Sequence, residues 1–314
     1  MAVRYSSSDR TKEDVFPQLE TLINIINESE ANSSNFQHAS NLLAKIRKTT
    51  DDAKKRALAQ MLPIYIEYHN AQRSITGYSD EDIRRRVRLL EQYYARFEEL
   101  EMDNFFSSQG KFRSTILEEF MCYLFMDYVK EVKVRYNDPL GNQGVLYNGA
   151  SKSYTNMYIA PTDIEGFIRT PQMGINEKDQ DYAIFRKIRI SIEGIEGSQC
   201  ANIPILAIEN KTFLDKTMLD GAIATADKVK SGNPYAIYLV VTETYDVDLD
   251  VDPIYSRIDQ IYVLRKCRRD RNNHTPAPID EDTVIRMFNK VKQHIERPWS
   301  RIQQRLEERG EIMY

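Results

Sequence analysis

The run Ile203-Pro204-Ile205-Leu206-Ala207-Ile208-Glu209-Asn210-Lys211 is an apolar segment that ends in a carboxylate and an ammonium two residues apart. An extended chain alternates its side chains between two faces, so Glu209 and Lys211 project together. The β-branched, partly alternating stretch Tyr182–Ile192 predicts a second strand, opened by Asp181, with Asp179 on the same face as a supporting ligand. If the two strands pair as antiparallel neighbours, the start of the first lies beside the end of the second, and Asp181, Glu209 and Lys211 converge. Two carboxylates can hold a divalent cation through oxygen, with the main-chain carbonyl of Ile208 or Asn210 as a further ligand. An ammonium beside them can orient or help deprotonate a water and stabilise charge on a phosphate.

The elements that must carry these residues follow from periodicity. Helical spacing of apolar residues marks Thr11–Ser29, Ser34–Arg47 and Asp51–Asn70, the last with Pro63 as an expected kink or break. Ser79 with Asp82 three residues on resembles a capping box, and Ile83, Val87, Leu90, Tyr94 and Phe97 form one stripe behind it. A loop is predicted over Met102–Lys111. Arg113–Lys130 then reads as a helix too apolar for a surface position, packed directly on a sheet. Thr217–Lys230 is a helix stopped by Ser231-Gly232-Asn233-Pro234, Tyr235–Thr242 and Ile261–Leu264 are strands, and Asp280–Glu296 and Pro298–Arg309 are helices. The expected architecture is α/β, with a mixed sheet flanked by helices behind an N-terminal all-helical domain or arm. The boundary falls near residue 108, giving residues 1–108 and 109–314.

Composition narrows the class. The 314 residues are 41% hydrophobic and 29% charged, without an apolar run of membrane-spanning length or a secretory h-region, so a soluble cytoplasmic protein with no membrane partner is expected. Cys122, Cys200 and Cys267 are scattered without ligand spacing, which argues against a disulfide framework and a thiolate zinc site. The net charge of −4 is modest, but six Arg or Lys stand against two Asp between Arg257 and Arg271. An acidic cluster set in a partly basic groove suits work on a polyanion.

Asp181 followed by Glu209-Asn210-Lys211 resembles the PD-(D/E)XK nuclease superfamily, in which most type II restriction endonucleases are found. The family's proline is absent before Asp181, where the sequence is Lys178-Asp179-Gln180; Asp163, in Ala160-Pro161-Thr162-Asp163-Ile164, keeps a nearby proline and is the alternative. The resemblance covers about residues 110 to 270 and implies a restriction-endonuclease-like fold. It implies Mg²⁺ held by Asp181 and Glu209, with Lys211 acting on water and phosphate. It also implies an acidic residue from an early helix, for which Glu118 is chosen over Glu119 in Ser114-Thr115-Ile116-Leu117-Glu118-Glu119-Phe120. The bland reading of that pair is complementation of the helix dipole.

Arg268-Arg269-Asp270-Arg271 is similar to the Arg-(Asp/Glu)-Arg element of restriction enzymes that read CCGG or CC-N-GG sites and leave 5′ overhangs. Arg forks donate to guanine O6 and N7, and Asp accepts from cytosine N4, so Arg269, Asp270 and Arg271, with Arg268 beside them, can read G·C pairs. A solvated basic turn is the competing reading. Double-stranded DNA is the expected partner. A palindromic site implies a homodimer, and a cognate DNA methyltransferase is expected in the same restriction-modification system, though not as a stable subunit.

Other features have structural readings. Asp246–Asp252 alternates acids but lacks the central Gly and terminal Glu of a calcium loop, so it predicts an exposed edge or turn. Tyr65, Tyr68, Tyr93 and Tyr94 are expected in the core or an interface, His38, His69, His274 and His294 are dispersed, and Gly141-Asn142-Gln143-Gly144 follows no buried strand. The rival functions are a structure-selective repair or junction-resolving nuclease, and a non-catalytic helical interaction protein in which Glu209 and Lys211 form only a surface salt bridge.

Overall fold

The structure is a computed structural model that describes residues 6, 9, 12, 14–28, 36–106, 112–136, 146–269, 277–297, 299 and 302–310. The N-terminal helices are α1 (Leu19–Asn27), α2 (Gln37–Lys48), α3 (Asp52–Ser74), α4 (Asp80–Glu99) and the single turn α5 (Met102–Phe105). The capping box opens α4: the Ser79 hydroxyl accepts from the Asp82 N–H at 3.2 Å, and the Asp82 carboxylate accepts from the Ser79 N–H at 3.1 Å. Of the expected kink or break at Pro63, the break does not occur: α3 runs through the proline as one helix. Buried residues on both sides of the proline, from Leu58 to Met61 and from Tyr65 to His69, seat the two halves in one core, and tertiary packing overrides the lost N–H.

Helix α6 (Ser114–Arg135) is the pivot of the molecule. Leu117, Phe120, Met121, Leu124, Phe125, Tyr128 and Val129 are all buried, because one side meets the N-terminal helices and the other meets the sheet. Each such side chain contributes roughly 1.5–3 kcal/mol on burial. The core that results is continuous from Phe16 through α6 to Val291 of α9 (Glu281–Glu296).

The five-stranded sheet has the order β1 (Leu146–Ile159), β2 (Met173–Ile190), β3 (Gln199–Leu214), β4 (Ile237–Tyr245), β5 (Gln260–Val263). Strands β1 to β3 are antiparallel, and β3 to β5 are parallel, as a mixed sheet requires. The short helix α7 (Ile164–Arg169) links β1 to β2, α8 (Lys216–Gly232) makes the crossover from β3 to β4, and α10 (Ile302–Arg309) follows α9. A second, smaller core of Ala207, Tyr238, Val240, Leu219, Ala222, Ala226 and Val229 packs α8 on its face of the sheet. Helix α8 approaches β1 at Gly232, where a Cβ would lie 2.6 Å from the Thr155 carbonyl oxygen, so only glycine allows that approach. Among the described residues no helix is long and apolar enough to cross a membrane.

Two features of the sheet depart from expectation. Strand β1 is an additional edge strand whose polar composition, Asn148 to Asn156, hides its extended pairing with β2. Strand β2 begins at Met173 rather than at Tyr182, so Asp181 lies within the strand and not at its start. It sits at a β-bulge: Gly149 pairs with Ala183 and Ser151 with Gln180, leaving Asp181 and Tyr182 opposite Ala150 alone. Bulges re-aim side chains and are frequent beside active sites. A second bulge lies between the Ile184–Leu206 and Phe185–Pro204 pairs, on the β3 side, where Pro204 has no N–H to give to the ladder.

Candidate active site

The sheet forks. The last pair joining β2 to β3 is Tyr182 with Ile208; beyond it, β2 pairs only with β1, whereas β3 continues beside β4 through Leu214. Glu209, Asn210 and Lys211 are the first residues past that point on β3, and Asp181 is the first on β2. The Asn210 N–H donates to the Asp181 carboxylate at 2.8 Å, so a side chain takes the place of the next ladder bond. Asp181, Glu209 and Lys211 are therefore brought together, by a strand fork and a bulge instead of by two strand ends.

Glu209 is held through both oxygens. The Lys211 ammonium lies 2.8 Å from one, and the Tyr238 hydroxyl donates to the other at 2.5 Å. The Glu209 side chain is 20% exposed and that of Lys211 26%, enough for a ligand to reach them. Burial pulls the Lys211 pKa down, but the carboxylates of Glu209, Asp181 and Glu118 outweigh it, and the pKa stands above the usual lysine value. Lys211 is thus a fixed cation at neutral pH.

The adjacent acids of α6 face different surroundings. Glu118 lines an open cleft of about 530 Å³ together with Asp181, Asp179, Lys152 of β1, and Gln37 and Asn41 of α2. Glu119 is fully buried and points into the helical core. It accepts from the Tyr65 and Tyr123 hydroxyls at 2.8 and 2.7 Å and from the His38 and Ala39 N–H groups at 2.9 and 3.1 Å. Those two N–H groups belong to the first turn of α2, so Glu119 caps that helix from α6. Burial raises its pKa to about 7. His38 is held between Tyr93 and Thr115 hydroxyls, and burial lowers its pKa to about 3, so it stays neutral. Tyr65, Tyr68, Tyr93 and Tyr94 are all buried in this core and present no ring to solvent.

Asp163 lies elsewhere, on the β1–β2 connection, where its carboxylate caps α7 by accepting from the Gly166 N–H at 2.7 Å. Arg269 lies beside the end of β4, its N–H donating to the Tyr245 carbonyl at 2.8 Å; its guanidinium lies over the Phe213 ring at 3.6 Å and 3.7 Å from the Asp246 carboxylate. Phe213 follows Lys211 by two residues and shares its strand face. Arg268 hydrogen-bonds the Val247 carbonyl at 3.3 Å. Asp270 and Arg271, with His274 and the 141–144 stretch, lie outside the described residues.

Among the described residues, no three His, Cys, Asp or Glu side chains gather as a ready-made metal cage. The donor set at the fork still fits Mg²⁺, which is typically held by one or two carboxylates, with water and substrate phosphate completing its shell. Its carboxylates and main-chain carbonyls are hard oxygen donors, the kind that ion prefers. The Asn210 side chain, 3% exposed, has both amide atoms without a protein partner, which leaves hydrogen-bonding capacity at the fork for water or a polar ligand.

Three polar contributors escaped the sequence. Tyr238 reads as one more residue in an apolar run, and Gln37 and Asn41 as the polar face of a distant helix. Writing β3 and β4 in parallel register would have exposed the first, because Tyr238 pairs with Ala207 and so lies diagonal to Glu209 on one face.

Residues 109–275 match the Bpu10I restriction endonuclease family. The fold is similar to a solved chain described as the native BbvCI A2B2 tetramer at low resolution, with a TM-score of 0.60 and 19% identity, covering 83% of this chain and 98% of that one. Comparison with curated proteins gave no match. The family match sets the junction-resolving and non-catalytic readings aside. The chain belongs to the Bpu10I restriction endonuclease family and is a type II site-specific deoxyribonuclease.

Proposed function

We propose that the strand fork is the catalytic centre and that it hydrolyses DNA phosphodiester bonds with Mg²⁺. Asp181 and Glu209 hold the ion, with the Ile208 or Asn210 carbonyl as a further ligand and Glu118 as a supporting acid from α6. Bound there, Mg²⁺ supplies Lewis-acid activation of water and of the phosphate. Lys211, kept charged by the surrounding carboxylates, orients the attacking water and stabilises the charge that develops on phosphate. The observation that carries this reading is the Asp181 carboxylate bound to the Asn210 N–H, which places the acid beside Glu209 and Lys211.

Arg268 to Arg271 read G·C pairs of a short site cleaved with 5′ overhangs, and residues 1–108 serve dimerisation or flank contacts. Gln37 and Asn41 in the catalytic cleft favour flank contacts. The enzyme acts in a prokaryotic cytoplasm beside a separate DNA methyltransferase. A homodimer suits a palindromic site. The two kinds of chain in the BbvCI A2B2 tetramer favour a second reading, in which this chain works beside a different subunit, and unlike subunits impose no two-fold symmetry on the site.

The test is incubation of the purified chain with unmodified plasmid and phage DNA, with Mg²⁺ or chelator, and sequencing of the ends. Discrete Mg²⁺-dependent fragments with symmetric ends support the homodimer. Activity on one strand only, completed by a second chain, supports the heteromer. Cleavage that persists in chelator overturns the metal reading.

A further inference from the structure

The residue that fixes Glu209 most tightly comes from neither the nuclease motif nor its strand. Tyr238 is fully buried on β4, in the small core beneath α8, and a phenylalanine there would fill the same volume. Its hydroxyl is nevertheless spent on one acceptor, the Glu209 carboxylate, at 2.5 Å. With Lys211 on the other oxygen, the carboxylate is gripped at both ends and its plane cannot turn. Without the phenol, Glu209 keeps only Lys211, a flexible partner that can follow it through several rotamers.

We propose that Tyr238 is a positioning residue that orients Glu209 toward a bound divalent cation, acting as its outer-shell hydrogen-bond donor. The inference rests on the reading of Glu209 as a metal-binding carboxylate. Outer-shell donors to ligating groups fix their orientation, and their loss costs about 10- to 100-fold in metal affinity or activity.

The experiment is calorimetric titration of Mg²⁺, and of Ca²⁺ as a non-catalytic probe, into wild type, Tyr238→Phe, Glu209→Gln and Val240→Ala. Val240 is an equally buried neighbour on the same face and serves as the packing control. We expect Tyr238→Phe to weaken metal binding about 10-fold, to raise the Mg²⁺ concentration for half-maximal cleavage by the same factor, and to recover most of its rate at saturating Mg²⁺. Val240→Ala should lower thermal stability while leaving metal affinity unchanged. Unaltered affinity in Tyr238→Phe, with binding abolished in Glu209→Gln, overturns the inference alone; binding retained in Glu209→Gln overturns the underlying reading of Glu209. Should Tyr238→Phe fail to fold, carbon-13 NMR of ring-labelled tyrosine in the wild-type protein decides: Ca²⁺ should shift the signal of one buried tyrosine, and no shift refutes the proposal.

Discussion

Glu119 and Glu209 are gripped by the same chemistry and put to different ends. Glu119 meets two tyrosine hydroxyls and two helical N–H groups in the sealed core between α2, α3 and α6. Glu209 meets one tyrosine and one lysine at a fork where two strands part. The difference lies in what remains after the protein has made its bonds. Four donors around a carboxylate without solvent access complete a structural joint, whereas two donors around a carboxylate at 20% exposure leave coordination for a ligand.

The sharpest way to test that contrast is to remove a group from each side. Lys211→Ala should reduce cleavage by about 100- to 1,000-fold while the melting temperature and DNA binding stay close to wild type; undiminished cleavage in a plasmid assay refutes the role of Lys211. Glu119→Ala should do the reverse. It strands two hydroxyls and two N–H groups in a closed core, costing about 3–5 kcal/mol of stability in urea unfolding. A variant as stable as wild type would show that the joint bears no weight.

Arg269→Ala should act on neither quantity and instead relax sequence discrimination by about 1–3 kcal/mol, read from the spread of cleaved sites. Full discrimination in that variant removes the base-reading proposal. The smallest expected effect is on pH dependence. Below about 4.5, the ordinary value, Glu119 is protonated both folded and unfolded; up to about 7 only the folded protein keeps the proton; above that neither does. Its contribution is complete at low pH and is lost as pH rises toward 7. Glu119→Gln should remove up to about 1.4 kcal/mol per pH unit of that slope. A variant with the wild-type slope would assign the effect to other groups.

The sequence showed Glu209 and Lys211 clearly, because a two-residue spacing in an apolar strand is a one-dimensional fact that survives folding. Asp181 was legible as a neighbour through the antiparallel meander. Its bulge was not, since that depends on how β1 pairs with β2, and β1 is a polar edge strand with Gly149 inside it and little apolar signature. The roles of Glu118 and Glu119 could not be separated by sequence either: adjacent residues on one helix point about 100° apart, and which of them meets the cleft is decided by where α2 docks. Tyr238 was hidden for the opposite reason, being apolar enough to vanish into its strand.

The fork has a mechanical consequence. Asp181 travels with the β1–β2 arm and Glu209 with the parallel half of the sheet, and past Tyr182 the two halves share no ladder. The Asn210 N–H to Asp181 bond is the first tie across the gap, and with a charged acceptor such a bond is worth about 1.5–3 kcal/mol net. The spacing of the two carboxylates is therefore set by that bond and by the seat of α8 on β1 at Gly232, not by a continued ladder.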